Sequence, residues 1–376
     1  MNTMKLSKII LSPFKAIIGA TLSGKARLNC LKCSLLCLAL LFLQPVQAQT
    51  NWSELDQELT SKQAILGTNV VVMIWKGDSV VYKKEMGGFD MKTVAPIASC
   101  SKWLTAALVM QFVDEGKISL DDKVSKYLPE FEKYGKNYIT IRYCLSHMTG
   151  ISDEGGLIKR LLQRKKFSSL EEEVNSFAAR EIRSNPGTDF WYGNVGLNIA
   201  GRLLEVISKK KFDMLIKTKL FNPLGMRKTS FSVLEGAVNP SGGAVSTAED
   251  YMKFLTMLLH NGKYNGQVIL SENSVKLMRQ IQNMKVSIAY APKSAEGYRY
   301  ALGSWVLENG DAAKAGELPV ANVIACPGLF GTWPMVDFCR GYAYICFVKS
   351  YLGEERADVQ RNIKSIIEQQ IQSTCQ

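Results

Sequence analysis

Residues 99–113 read SCSKWLTAALVMQFV, a run in which apolar residues occupy every face of a helix and Lys102 is the only charge. A helix that is apolar all round is a buried helix, so Lys102 is expected to be desolvated. Desolvation disfavours the ammonium, lowers the lysine pKa and makes the amine a usable base. Ser99 lies three residues earlier, on the same helix face. Pro96 stands just upstream, so Ser99 is predicted to open the helix, with its backbone N–H free and the positive end of the helix dipole beneath it. A hydroxyl beside a neutral amine at such an end is what nucleophilic acyl transfer requires. The plainer alternative, with Ser99 as a helix cap and Lys102 snorkelling to the helix edge, fits the same S-x-x-K spacing.

Outward from this helix, Thr68–Trp75 and Val80–Glu85 are β-rich runs joined by Lys76-Gly77-Asp78-Ser79, the pattern of a hairpin. From Ser99 to about Leu259 the pattern is mostly helical. Strand-like runs return at Tyr298–Leu307, Val320–Ala325 and Tyr342–Val348, and a helical stretch closes the chain from Glu354 to about Ser373. Strands at both ends with helices between them predict an α/β (α+β) fold: an antiparallel sheet built from the two chain ends, flanked by helices, with an inserted mostly helical lobe. We expect residues 49–376 to form one catalytic unit, with an α/β lobe of about 49–98 and 295–376 and a helical lobe of about 99–294.

The 376 residues are 47% apolar, which excludes disorder and collagen. Six basic residues and no acidic one stand in residues 1–48, ahead of the apolar run SLLCLALLFL (34–43) and Val46-Gln47-Ala48. That is the layout of a secretory signal cut before Gln49, so the protein is expected to be exported to a periplasmic or extracellular location, with membrane attachment only if this segment is uncleaved. Without that segment 40 Lys+Arg face 34 Asp+Glu, too small an excess to predict nucleic acid as a partner. Six cysteines then remain, and Cys144, Cys326 and Cys346 sit in apolar runs where a buried free thiol is expected. Neither His147 nor His260 stands in a metal-binding motif. P-loop, dinucleotide and G-x-S-x-G motifs do not occur, so no metal or other cofactor is expected, and a Ser-His-Asp triad on an α/β-hydrolase fold is disfavoured.

Further segments align with the Ser99/Lys102 pair. Pro96 to Ala106, Gly116 to Val124 followed by Tyr127-Leu-Pro129, Ile139 to Gly150, Pro186 to Gly196, Pro223 to Met226, Ser241 to Asp250 and Tyr300 to Trp305 together resemble the serine β-lactamase and penicillin-binding protein superfamily, especially its class C β-lactamase and family VIII esterase branch. The resemblance spans about residues 68–350. It implies a β-lactamase/D,D-peptidase-like fold with Ser99 as nucleophile, Lys102 as its base and Tyr192 of the Y-x-N motif as a proton carrier. Asn194 of the same motif would orient the lysine and hold a substrate carbonyl, and His147 falls in a structural turn. A phenol near a lysine can pass protons between serine, leaving group and water. His260 reads as the C-terminal residue of a helix.

One segment departs from the family. Where a Lys-Thr-Gly or His-x-Gly motif is usual, the best match is Cys326-Pro327-Gly328. The glycine, which lets substrate approach the strand, is kept, and Leu329 would supply a second oxyanion N–H beside that of Ser99. The cation that helps hold a substrate carboxylate is missing. Cys326 is expected to pack rather than react, since an apolar strand offers it no activating neighbour. The expected function is therefore that of an exported serine hydrolase forming an acyl-enzyme on a small-molecule ester or amide or a peptide-like substrate. The alternatives are a β-lactamase or D,D-peptidase, or a non-catalytic penicillin-binding or cell-wall sensor module.

Overall fold

The computed structural model describes residues 51–152, 167–231, 236–310 and 316–375. The segment expected to direct export and most of residues 151–166 lie outside them. Helix α1 (Ser53–Ser61) leads into strands β1 (Val70–Lys76) and β2 (Ser79–Met86), and the chain then enters helix α2 (Ser101–Asp114). Helices α3 (Leu170–Ala179), α4 (Val195–Ser208) and α5 (Ala248–Leu259) follow. Strands β3 (Arg299–Tyr300), β4 (Trp305–Glu308), β5 (Val323–Ala325), β6 (Trp333–Asp337) and β7 (Tyr342–Val348) precede the closing helix α6 (Glu354–Gln370).

The seven strands form one antiparallel sheet in the order β2-β1-β7-β6-β5-β4-β3, so the first and last of them in the chain pair with each other, Val70 opposite Val348 and Lys76 opposite Tyr342. Alternation along β1 assigns the faces. Val70, Val72 and Ile74 join Tyr344, Cys346 and residues of α1 and α6 in one apolar cluster, while Val71 and Met73 join Ile345, Phe347 and the helical lobe in the other. Both faces are covered, which is why β7 reads YAYICFV with no polar alternation. The fold is the mixed α/β arrangement expected, an antiparallel sheet from the two chain ends with helices inserted between them.

Three local differences from the sequence reading have physical causes. The run Tyr298–Leu307 is two paired strands, β3 and β4, broken at Gly303, whose φ of +82° turns the chain back. Strand β6 lies outside the strand-like runs read from the sequence; it carries Pro334, a residue unfavourable in an interior strand, and its neighbour Met335 keeps the ladder in register, opposite Ala325 on one side and Tyr344 on the other. The α-helix begins at Ser101 rather than Ser99, and Ser99 sits in a 3-10 turn, Ala98–Cys100, with no side-chain cap. Cys339 and Cys375 form a disulfide, and Cys144, Cys326 and Cys346 are buried free thiols as expected. Among the described residues no helix is long and apolar enough to cross a membrane.

Candidate active site

The turn that carries Ser99 is held under strain. Ala98 has φ +45°, a conformation non-glycine residues adopt only when their surroundings enforce it. Three contacts enforce it here. The Ile97 N–H donates to the Ala244 carbonyl at 3.0 Å, the Tyr251 hydroxyl donates to the Cys100 carbonyl at 2.8 Å, and the Ala244 N–H donates to Ser101 Oγ at 3.0 Å. From Ile97 to Phe112 every residue is buried except Ser99. The fold thus exposes one hydroxyl at the tip of an otherwise buried helix.

Lys102 is 1% exposed. A 3-10 turn stacks residues i and i+3 nearly in line, and Lys102 Nζ lies 3.1 Å from Ser99 Oγ. It also donates to Asn194 Oδ1 at 3.2 Å and to the Ser241 carbonyl at 2.9 Å. The Tyr192 ring centroid is 5.0 Å from Nζ. Sequence reasoning named Ser99, Lys102, Tyr192 and Asn194, and the structure brings all four together.

Tyr192 is half-buried, with its hydroxyl end set among Ser99, Cys326 and Trp305. Burial pushes its phenol well above the ordinary tyrosine value, the Cys326 thiol adds to the rise, and the Ser99 hydroxyl draws it back. Its ring packs on His147 (4.7 Å between centroids) and Trp305 (5.0 Å). His147 is the turn residue expected, with φ +58°. Its Nδ1 accepts the Gly193 N–H at 3.4 Å, which leaves Nε2 to donate to Tyr300 Oη at 3.1 Å. Burial, and then the Lys102 charge, push its pKa far below the ordinary value, so the imidazole is neutral. His147 holds Tyr192 and Gly193 in place and makes no hydrogen bond to Ser99 among the described residues. His260 caps the C-terminal end of α5.

Gly328 follows β5 and meets the turn that carries Ser99 directly: a Cβ there would stand 2.3 Å from the Ile97 carbonyl oxygen and 3.1 Å from Cys100 Sγ. The close approach this glycine admits is that of the protein's own backbone. The Leu329 N–H donates to no acceptor among the described residues, and its side chain is half-buried at the rim beside exposed Phe330. Cys326 is 1% exposed and its thiol donates to the Ser99 carbonyl at 3.2 Å. Burial pushes the thiol up to about 12 although the Lys102 charge opposes this, so it is not a thiolate.

Sequence reasoning did not foresee the Ser241 carbonyl as a partner of Lys102, because a backbone oxygen leaves no side-chain signal. The segment from Ser241 onward was visible only through its resemblance. No group of three or more His, Cys, Asp or Glu side chains among the described residues could hold a metal ion.

The Beta-lactamase family model matches residues 53–366 of the chain. The chain is 27% identical to a protein provisionally assigned as a beta-lactamase from Bacteroides dorei DSM 17855, whose crystal structure superposes with a TM-score of 0.75 over 85% of this chain and 99% of that one. It shares its fold with EstCE1, a hydrolase with promiscuous acyltransferase activity, at 20% identity and a TM-score of 0.67, covering 84% of this chain and 100% of that one. Penicillin-binding protein 4 of Amycolatopsis lactamdurans is 25% identical over 320 residues, 74% of this chain and 83% of that protein.

Proposed function

The chain belongs to the beta-lactamase family, and from that premise we propose that it is an exported serine hydrolase acting through an acyl-enzyme on a neutral ester or amide. The observation that carries this reading is the contact of buried Lys102 Nζ with the Ser99 hydroxyl at 3.1 Å. In the proposed sequence Lys102 takes the Ser99 proton as Oγ attacks the substrate carbonyl. The oxyanion forms under the N–H groups of Ser99 and Leu329. The bond to the leaving group breaks as the proton passes to it by way of Tyr192, which stays protonated at neutral pH because burial holds its phenol high. Water then attacks the acyl carbon as its proton passes by way of Tyr192 to Lys102; the bond to Ser99 Oγ breaks, Lys102 returns the proton to Oγ and the acid departs. Asn194 keeps Lys102 in line and offers its amide to the acyl group.

Neutral substrates are favoured because the position after β5 that carries a cation in the family holds the buried thiol of Cys326. A substrate carboxylate would find no positive partner on that strand. Intact mass after incubation with a fluorophosphonate tests the reading: a single adduct on the native chain and none on Ser99→Ala is expected. Equal labelling of both would remove Ser99 from the mechanism. The same missing cation favours a second reading, a penicillin-binding sensor that acylates and does not turn over. A penicillin adduct that persists for hours, with no hydrolysis of 4-nitrophenyl butyrate, would favour it. Rapid hydrolysis of a chromogenic cephalosporin would instead make the protein a β-lactamase. Export rests on the 34–48 segment, and the periplasmic or secreted location follows from it.

A further inference from the structure

Asn194 stands at the N-cap of helix α4 and Asn198 one turn further along it, its N–H donating to the Asn194 carbonyl at 3.1 Å. Asn194 meets Lys102 directly, and Asn198 meets it at one remove. The Asn198 Oδ1 accepts the Ser241 N–H at 2.9 Å, and the carbonyl of that same Ser241 accepts Lys102 Nζ at 2.9 Å. Asn198 is wholly buried, in the interior of a helix, where asparagine is a poorer helix former than alanine and must find partners for its whole amide. Its Nδ2 donates to Glu173 Oε2 at 3.1 Å, and Glu173, on α3, is 2% exposed. An apolar pair would pack α3 against α4 at no desolvation cost, so this buried polar pair calls for a reason beyond packing.

The carboxylate supplies that reason by fixing orientation. A carboxylate only accepts, so it draws the Nδ2 end of the amide and leaves Oδ1 facing the Ser241 N–H; a flipped amide would lose both bonds. The segment Asn239–Ser241 is held on its other sides as well. Thr105 Oγ1 on α2 donates to the Pro240 carbonyl at 2.7 Å, and Ser241 Oγ donates to Asn239 Oδ1 at 2.7 Å. Gly201, three residues past Asn198, admits Pro240 so closely that a Cβ would lie 2.4 Å from its Cγ. The Ser241 N–H and C=O belong to different peptide units separated by a tetrahedral Cα, so the effect on Lys102 is geometric rather than electronic.

Resting on the reading of Ser99 and Lys102 given above, we propose that Asn198, oriented by Glu173, is a positioning residue that aims the Ser241 carbonyl at Lys102 and thereby holds the amine in line with Ser99. The test is the rate of fluorophosphonate labelling of the full chain, resolved into kinact and KI. Asn198→Ala lowers kinact at least tenfold and leaves KI within twofold. Asn198→Asp alone sets two carboxylates together and is as slow. Combining Asn198→Asp with Glu173→Gln reverses the bond between positions 198 and 173 while keeping an oxygen for the Ser241 N–H, and recovers at least a third of the native kinact. Misfolded variants are told apart because they lower the fraction labelled and not the rate constant of the labelled fraction. Native kinact in Asn198→Ala, or no recovery in the combined variant, overturns the proposal while leaving the hydrolase reading intact. Labelling of Ser99→Ala at the native rate, or no labelling of the native chain, ends both.

Discussion

Replacing Lys102 by methionine separates what the buried lysine does for chemistry from what it does for the fold. Methionine has nearly the length of lysine, so it fills the space of a side chain that is 1% exposed. It removes the donor 3.1 Å from Ser99 Oγ, 3.2 Å from Asn194 Oδ1 and 2.9 Å from the Ser241 carbonyl. For stability two terms oppose. The buried Ser241 carbonyl loses a bond at a cost of roughly 1–3 kcal/mol, while Ser99 and Asn194 are only half-buried, and removing a buried amine returns the desolvation of one polar group, also about 1–3 kcal/mol. These nearly offset, so the melting temperature should stay within a few degrees of the native value. For the reaction nothing offsets. A positioned general base is worth about 10²–10⁴ in rate, or about 3 to 5 kcal/mol of barrier. Lys102→Met should therefore lower kinact with a fluorophosphonate at least a hundredfold in a protein that melts as the native one does. A variant that labels within threefold of native would show that Ser99 has another base, and the mechanism above would be wrong.

Two further outcomes follow from groups around the site and at the chain end. His147 has a folded pKa far below the unfolded value of about 6.5, through burial and then the Lys102 charge, so below pH 6.5 the unfolded chain binds a proton that the native one does not and stability falls with falling pH. That slope is at most about 1.4 kcal/mol per pH unit for one group. Urea midpoints at pH 7.5 and 5.0 should show it in the native chain and not in His147→Asn, which also tolerates a φ of +58°; an equal drop in both refutes the assignment. The Cys339–Cys375 disulfide closes a loop of sequence separation 36. Replacing both cysteines by serine should cost about 4 kcal/mol by loop entropy, measured by urea unfolding, and an unchanged midpoint would mean the bond does not form in solution.

The sequence made the central strand and helix legible because their patterns are extreme. Tyr342–Val348 has no polar residue and was placed to the residue, and the apolar run around Lys102 is buried at all but one position from Ile97 to Phe112. What escaped was decided by neighbours far along the chain. Pro334 reads as a strand breaker, and only the ladders to β5 and β7 on either side keep Trp333–Asp337 extended. The start of α2 depends on Ala98 at φ +45°, which no local signal predicts, because the enforcing groups, Ala244 and Tyr251, are about 150 residues away. Spacing alone put Ser99 and Lys102 on one helix face but left open whether they react together, whereas Tyr192 and Asn194 needed the resemblance even to be placed near them, since nothing within the sequence says that residues 93 and 95 positions away share a site.

The proposed preference for neutral substrates turns on the strand end after β5. Position 326, where the family resemblance implies a cation, holds a thiol that burial keeps neutral and that donates to the Ser99 carbonyl at 3.2 Å. It has become part of the scaffold that holds the strained turn, beside Gly328, whose missing Cβ lets the strand end press against Ile97 and Cys100. In the proposed mechanism the strand end still offers the Leu329 N–H, which has no acceptor among the described residues, and gives up what anion recognition needs. Catalysis by backbone donors depends on position and survives such a change. Recognition of a substrate carboxylate depends on a charge-assisted hydrogen bond and does not. A site altered in this way should retain attack on activated carbonyls while losing its preference for carboxylated β-lactams, so the ratio of ester to cephalosporin turnover reports the identity of residue 326 more directly than either rate alone.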